Sequence, residues 1–302
     1  MMKVFFRKIW IFLCICAFFP VQAASLGAQT SSNPSPGGAN RTHSLLDDAF
    51  SSMGRAFVET NTEPTPADLY FLGRAVAANI LTAYRPYTVR PELTNYLNLI
   101  CQAIVVHIPE MDLFNGAYVL VLDSPELNAF ASPGGHIFIT RGLLEALSTE
   151  DMLAAVIAHE LAHVKLKHCA NMIREMRFYD DMSAIAGRAS GFSGNTTEAR
   201  QLMSFRDSVS SVVEAIMVSG FSQDQEYAAD SEALILLALS GYNPRALIDV
   251  LEILRRTQNS GNARLNTTHP SPADRIANAE RLLGNRQIRD NSSLRASRFI
   301  NR

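Results

Sequence analysis

The sequence predicts an α+β fold, mostly helical, with a small three-stranded sheet set beside one long central helix. Three observations carry this. Apolar residues recur at helical spacing over much of 66–283, and three short β-type runs fall together between 117 and 140. The first strong helix after them contains His159-Glu160-Leu161-Ala162-His163. No internal repeat at solenoid spacing competes with this reading.

Residues 1–23 are expected to be a cleaved secretory signal. Lys3, Arg7 and Lys8 precede an eleven-residue apolar core at 9–19, and Val21-Gln22-Ala23 offers small residues for cleavage. Eleven residues rising ~1.5 Å each do not cross a hydrocarbon layer of ~30 Å. Bulky Leu13 and Ile15 stand before Cys14 and Cys16, where lipid attachment wants small residues. Residues 24–65 read as a flexible leader, rich in Ser, Pro, Gly and Asn, with a short amphipathic helix at 45–58. The folded domain is expected over 66–285.

Pro66 opens a helix over 66–84, with Leu69, Leu72, Val76 and Ile80 on one face. Pro86 and Pro91 punctuate, and a second helix follows over 93–107 through Leu97, Ile100, Ile104 and Val105. The strands are placed at 117–122, 128–131 and 136–140, the last two joined by a turn at Pro133-Gly134-Gly135. A helix at 142–147 leads to Ser148, read as the cap of the next, with Asp151 completing an approximate capping box. That helix should run from about 149 to about 174. The small and polar stretch 184–197 is a loop, with an active-site flap as its sharper reading and a surface connection as the plainer one. Val209, Val212, Val213, Ile216 and Met217 then form one apolar stripe, the mark of a core helix. Helices follow at 225–239, 244–257 and 272–283, and 286–302 reads as a polar tail.

Loss of the signal leaves 24 Lys+Arg against 29 Asp+Glu, a net charge near −5. No basic cluster interleaved with aromatics is present, so nucleic acid is excluded as an expected partner. Cys101 and Cys169 remain, and either one disulfide or two separate buried thiols fits an oxidising compartment.

His159 and His163 stand four apart, so a helix places both imidazoles on one face, within reach of one metal ion. Glu160, about 100° round from His159, is placed to take a proton from a metal-bound water. Two histidines need a third donor. Glu226 is the candidate, in Glu226-Tyr227-Ala228-Ala229-Asp230, where Asp230 one turn on can accept the free ring N–H of a ligand histidine. The small and apolar residues around that pair argue against two solvated carboxylates. His168 follows His163 by five residues, about 140° round a continuous helix, and reads as support for the helix end or the packing. His107 and His43 read as structural or exposed, and His136 as structural. His269, before Pro270 in a polar segment, can donate to a tetrahedral oxyanion or fill the open metal position as a fourth ligand. An ordinary loop histidine is the plainer reading of it.

These motifs, with Asn128-Ala129-Phe130-Ala131-Ser132-Pro133-Gly134-Gly135, Gly142-Leu143-Leu144, Gly241-Tyr242-Asn243-Pro244 and Thr268-His269-Pro270-Ser271-Pro272 plus Arg275, resemble the HtpX-, BepA- and Oma-type metallopeptidases. That gluzincin family includes the CAAX prenyl endopeptidases, and the resemblance covers roughly 66–283. It implies a zincin-like metallopeptidase domain holding one zinc ion per chain. By position, His159, His163 and Glu226 are the implied ligands, Glu160 the base, Asp230 the group behind a ligand, and His269 a residue near the active site. The spanning helices of integral-membrane relatives are not apparent, and only 33 residues follow His269, where the BepA type carries a TPR array.

The expected function is a zinc-dependent endopeptidase of the bacterial cell envelope that degrades misfolded or unassembled proteins. It is expected in the periplasm, with no transmembrane helix in the mature chain and peripheral association with the outer membrane left open. The alternative is a zinc-binding, chaperone-like assembly factor with suppressed proteolysis. A substrate strand is expected to add along Asn128, Ala129, Phe130 and Ala131.

Overall fold

The computed structural model describes residues 66–111, 116–175, 213–214, 220–258, 271–284 and 292–300. The expected signal, leader, flap and His269 all lie outside the described residues, as does all but Val213 of the stripe at 209–217.

Helix α1 spans Pro66–Ala83 and α2 spans Pro91–Val105. Strands β1 (Tyr118–Leu122), β2 (Ala129–Ser132) and β3 (His136–Thr140) follow. After them come α3 (Arg141–Ala146), α4 (Glu150–Lys165) and α5 (His168–Glu175). Helices α6 (Gln223–Leu239), α7 (Ala246–Gln258), α8 (Pro272–Leu283) and α9 (Ser292–Ile300) complete the described elements. The mostly helical α+β expectation holds.

The sheet order is β1-β3-β2. β1 runs parallel to β3, with Leu120 opposite Phe138. β2 runs antiparallel to β3, with Phe130 opposite Phe138. Side chains alternate faces along each strand. Val119, Val121, Ile137 and Ile139 enter a large core with α2, α4, α6 and α7. Leu122, Phe130 and Phe138 enter a second core with Leu72, Val76 and Ile80 of α1. Both faces are therefore covered, and all of β3 is buried.

The three-residue turn Pro133–Gly135 links β2 to β3, with Gly134 at φ 75°. It lies directly under α1. A Cβ built on Gly73 would stand 1.6 Å from the Pro133 carbonyl oxygen, so only glycine admits this approach. β2 begins one residue later than the expected run, leaving Asn128 before it. The Asn128 carbonyl still accepts from Thr140 N at 3.0 Å.

Helix α4 is buried from Glu150 to His163 on every side. Ala154, Ala155, Ala158 and Ala162 let neighbouring elements approach closely, and α6 offers Ala229 and Ala233 in return. Two expectations about this helix need correction. Its cap is Thr149, whose hydroxyl accepts from Met152 N at 3.2 Å, while Ser148 Oγ instead donates to Met152 Sδ. The helix also stops at Lys165. Lys167 takes φ 56°, the one positive value at a non-glycine among the described residues, and α5 starts afresh at His168. The stretch read as a polar tail contains α9, whose Arg295 is buried at the first turn of α4.

Candidate metal centre

Helix α4 supplies His159, Glu160 and His163, all buried. Helix α6 packs alongside and brings Glu226 from its first turn, with Asp230 one turn further. Ser222 caps α6 in a reciprocal box with Gln225, which fixes where that first turn begins. His159 Nε2 lies 3.0 Å from His163 Nε2. Glu226 Oε2 is 3.4 Å from His159 Nε2, and Glu226 Oε1 is 3.6 Å from His163 Nε2.

Those separations test whether a metal fits. Donors held at ~2.0–2.1 Å around a tetrahedral ion stand roughly 3.3 Å apart. The three distances, measured from the two ring nitrogens to each other and to the nearer Glu226 oxygen of each, bracket that spacing, and two imidazoles with one carboxylate suit a zinc-like cation. The residues present fit such an ion.

The surrounding residues orient these donors. Asp230 Oδ1 is 3.1 Å from His159 Nδ1, on the far side of that ring from Nε2. His163 Nδ1 is 2.9 Å from His168 Nδ1, and Phe221 stacks on His163 with centroids 4.2 Å apart. Arg275, buried on α8, grips Asp230 with two bonds of 2.6 and 2.8 Å and reaches Glu226 Oε2 at 2.8 Å.

Burial works to depress the His159 pKa, but the Asp230 and Glu226 carboxylates outweigh it and lift it to about 9. Burial pushes the Asp230 carboxyl up, yet the Arg275 guanidinium and His159 hold it below the usual range. His168 is lowered, chiefly by burial. A site with two buried carboxylates needs cationic partners, and Arg275 supplies one beside any metal.

Two small cavities flank the donors. One of about 50 Å³ is lined by Ala129, Val156, His159, Glu160, Leu251 and Arg275, among others. The other, about 30 Å³, touches Ala131, Ser132, His163, Lys167 and Cys169. β2 thus passes from Glu160 at one end to His163 at the other. The Asn128–Thr140 bond fixes which residues of β2 exchange hydrogen bonds with β3. Alternation then turns the backbone N–H and C=O of Ala129 and Ala131 away from β3.

Comparison with known proteins matches residues 98–283 to the model described as peptidase family M48. The chain belongs to peptidase family M48. Its zincin-like, mostly helical fold is that family's.

Among M48 relatives, the chain is 25% identical over 191 residues to the beta-barrel assembly-enhancing protease of Escherichia coli, covering 63% of this chain and 38% of the relative. It is 30% identical over 175 residues to the mitochondrial metalloendopeptidase OMA1 of Schizosaccharomyces pombe, covering 57% and 48%. It is 28% identical over 150 residues to the metalloprotease LoiP of Escherichia coli, covering 50% and 56%. The matched stretch therefore spans about half the length of these relatives or less.

The structure brings together five of the expected site residues (His159, Glu160, His163, Glu226 and Asp230) and sets Ala129 to Ala131 beside them. His269 lies outside the described residues. Two participants were not anticipated. Arg275 was noted only as part of a motif, although a lone arginine on an otherwise apolar buried face of α8 was a signal. His168 was set aside because a continuous helix would turn it away. Cys101 and Cys169 are both free and buried, so the two-thiol alternative is the one realised. His136 is buried at the start of β3, 6.2 Å from the Tyr70 ring.

Proposed function

We propose that this chain is a zinc-dependent endopeptidase of the bacterial cell envelope, acting on misfolded or unassembled proteins. The observation that carries the reading is the convergence of His159, His163 and Glu226, whose ligand atoms, one from each residue, lie within 4.8 Å of one another. These three would hold the zinc. When bound, zinc supplies a Lewis acid and lowers the pKa of its water towards ~7.

The chain's own residues do the rest. Glu160 takes the proton of the attacking water and returns it to the leaving amine. Asp230 keeps His159 turned with Nε2 inward by accepting its Nδ1–H. Arg275 holds the acidic pair in place from behind. The substrate lies extended along Asn128 to Ala131 and takes hydrogen bonds from the outward backbone of Ala129 and Ala131. His269 either donates to the developing oxyanion or closes the fourth metal position.

Membership of a metallopeptidase family and the names of the relatives, a beta-barrel assembly-enhancing protease and a metalloprotease, support this reading. No described helix is long and apolar enough to cross a membrane. Periplasmic location after signal cleavage, and contact with the outer membrane at its surface, are parts of the same proposal.

The test compares zinc content and degradation of unfolded casein for wild type, His159→Ala and Glu160→Gln. Near-stoichiometric zinc and casein cleavage in wild type, zinc without cleavage in Glu160→Gln, and loss of both in His159→Ala are expected. A Glu160→Gln variant as active as wild type overturns the mechanism. No cleavage by any form, His269→Ala included, with zinc bound by wild type, would favour a chaperone-like assembly factor, the role that the relative's assembly-enhancing name suggests.

A further inference from the structure

The two histidines of α4 have similar surroundings, and only one of those was expected. His159 presents Nε2 to Glu226 while its Nδ1 faces the Asp230 carboxylate at 3.1 Å. His163 presents Nε2 to Glu226 while its Nδ1 faces another imidazole, His168 Nδ1, at 2.9 Å. On an unbroken helix, five residues turn a side chain about 140° away. His168 reaches His163 because the helix stops: Leu166 N makes a last i→i−4 bond to Ala162 O, Lys167 N turns instead to Val164 O, Lys167 takes φ 56°, and α5 starts anew at His168. That backbone is easy for glycine and strained for lysine. Phe221 stacks on a face of the His163 ring at an interplanar angle of 20°.

We infer that His168 is a positioning residue for His163, accepting its Nδ1–H and so fixing the ring with Nε2 towards Glu226 and His159. The inference rests on the metal reading above. The proton arrangement follows from the geometry. A ring that offers the Nε2 lone pair to a cation carries its hydrogen on Nδ1, so the short contact is an N–H from His163 to the Nδ1 lone pair of His168. His168 then carries its own hydrogen on Nε2. A neutral imidazole thus acts here as the carboxylate does behind His159, but adds no further negative charge. That matters where Glu226, Asp230 and Glu160 already lie buried around Arg275.

The test measures the zinc dissociation constant of the full chain by competition with a chromophoric chelator, beside the thermal midpoint of each form. His168→Ala is expected to weaken zinc binding ten- to a hundredfold. His168→Asp, which restores an acceptor while removing the ring, is expected to recover most of that loss. Lys167→Gly should bind zinc as wild type does, since glycine adopts the same break without strain. A packing role would not be rescued by a small charged residue. An affinity for His168→Ala within twofold of wild type, or a His168→Asp no better than His168→Ala, overturns the inference. If His168→Ala fails to fold, the nitrogen-15 histidine spectrum of zinc-loaded wild type decides instead. A coupling across an Nδ1–H···Nδ1 bond between two imidazoles is expected, and its absence overturns the inference. Wild type that holds no zinc would overturn the metal reading itself, a result distinct from zinc-replete protein indifferent to His168.

Discussion

Arg295 Nη2 lies 2.6 Å from Asp151 Oδ1, and Nε of the same guanidinium lies 3.1 Å from Oδ2. This bidentate pair ties the last described helix to the first turn of the helix that carries both histidines. Arg295 also donates to the Gly241 carbonyl and lies 5.0 Å over the Tyr242 ring. Asp151 in turn accepts from Asn243 N at 2.8 Å. The α6–α7 corner, the start of α4 and the C-terminal helix therefore meet at one ion pair. Helix α9 lies beyond the stretch 98–283 that matches the family, so Arg295 stands outside the matched region while its partner Asp151 lies within it.

Removing one member of a buried pair leaves the other uncompensated, at a cost of about 3–5 kcal/mol. Arg295→Met should lower stability by that order, and Asp151→Asn by a similar amount. The double variant should fall well short of their sum, because both remove one interaction. Urea unfolding of the four proteins checks this; a loss below about 1 kcal/mol for Arg295→Met contradicts it.

Arg275 faces Asp230 and Glu226 together. Arg275→Leu should destabilise the metal-free chain by about 3 kcal/mol, since two buried carboxylates then lose the guanidinium that both contact. Added zinc should restore part of that stability by binding the folded form only. Thermal midpoints with a chelator and with excess zinc separate the two terms. Equal midpoints for wild type and variant under chelator would remove the charge-balancing role.

The backbone N–H of Ala129 points away from β3, so Ala129→Pro takes no hydrogen bond from the sheet. It does remove a donor from the proposed substrate edge. Peptide cleavage should fall about tenfold in kcat/KM, the loss of one or two backbone bonds. Zinc content should stay at the wild-type value. Unchanged cleavage would mean that the substrate does not use this edge.

His136 is held neutral by burial, which lowers its pKa from 6.5 to about 4. In that window the unfolded chain binds a proton that the folded chain refuses. Stability from this group is full above about pH 6.5 and declines as pH falls towards 4. The loss approaches about 3 kcal/mol. His136→Phe, which keeps an aromatic ring near Tyr70, should flatten that part of the pH–stability curve. Denaturant midpoints at intervals across the window check it, and parallel curves for the two proteins would contradict it.

Burial pushes the Cys101 thiol up to about 12 and raises Cys169 as well. Neither should react with a disulfide reagent at neutral pH until the protein unfolds. Peptide mapping after labelling in native and denaturing buffer reads this, and fast native labelling of either residue contradicts it.

Much of the fold was legible in the chain. The helices at Pro66 and Pro272 announced themselves by a proline at the first turn and by apolar spacing, and β3 by its run after a Gly-Gly turn. These signals are local, because capping, turn chemistry and periodicity involve residues only a few positions apart. The two larger errors fall where the local sequence carries no signal. The helix at 149–174 looked continuous because Lys167 carries no sign of the left-handed backbone it adopts. The stretch 286–302 looked like a tail because Arg295 reads as a surface charge until its partner, 144 residues earlier, is known.

The candidate site divides in the same way. Sequence by itself determined the residue types proposed as donors, the four-residue spacing of His159 and His163, the glutamate between them, and Glu226 with Asp230 one turn apart. Helical geometry alone places each of those pairs on a common face. Only the tertiary structure decided that Glu226 comes within 3.4–3.6 Å of the two histidines, that a helix break returns His168 to His163, and that Arg275 stands behind the acids. Those relationships depend on how α4, α5, α6 and α8 pack over one core, and packing joins residues that no local period connects.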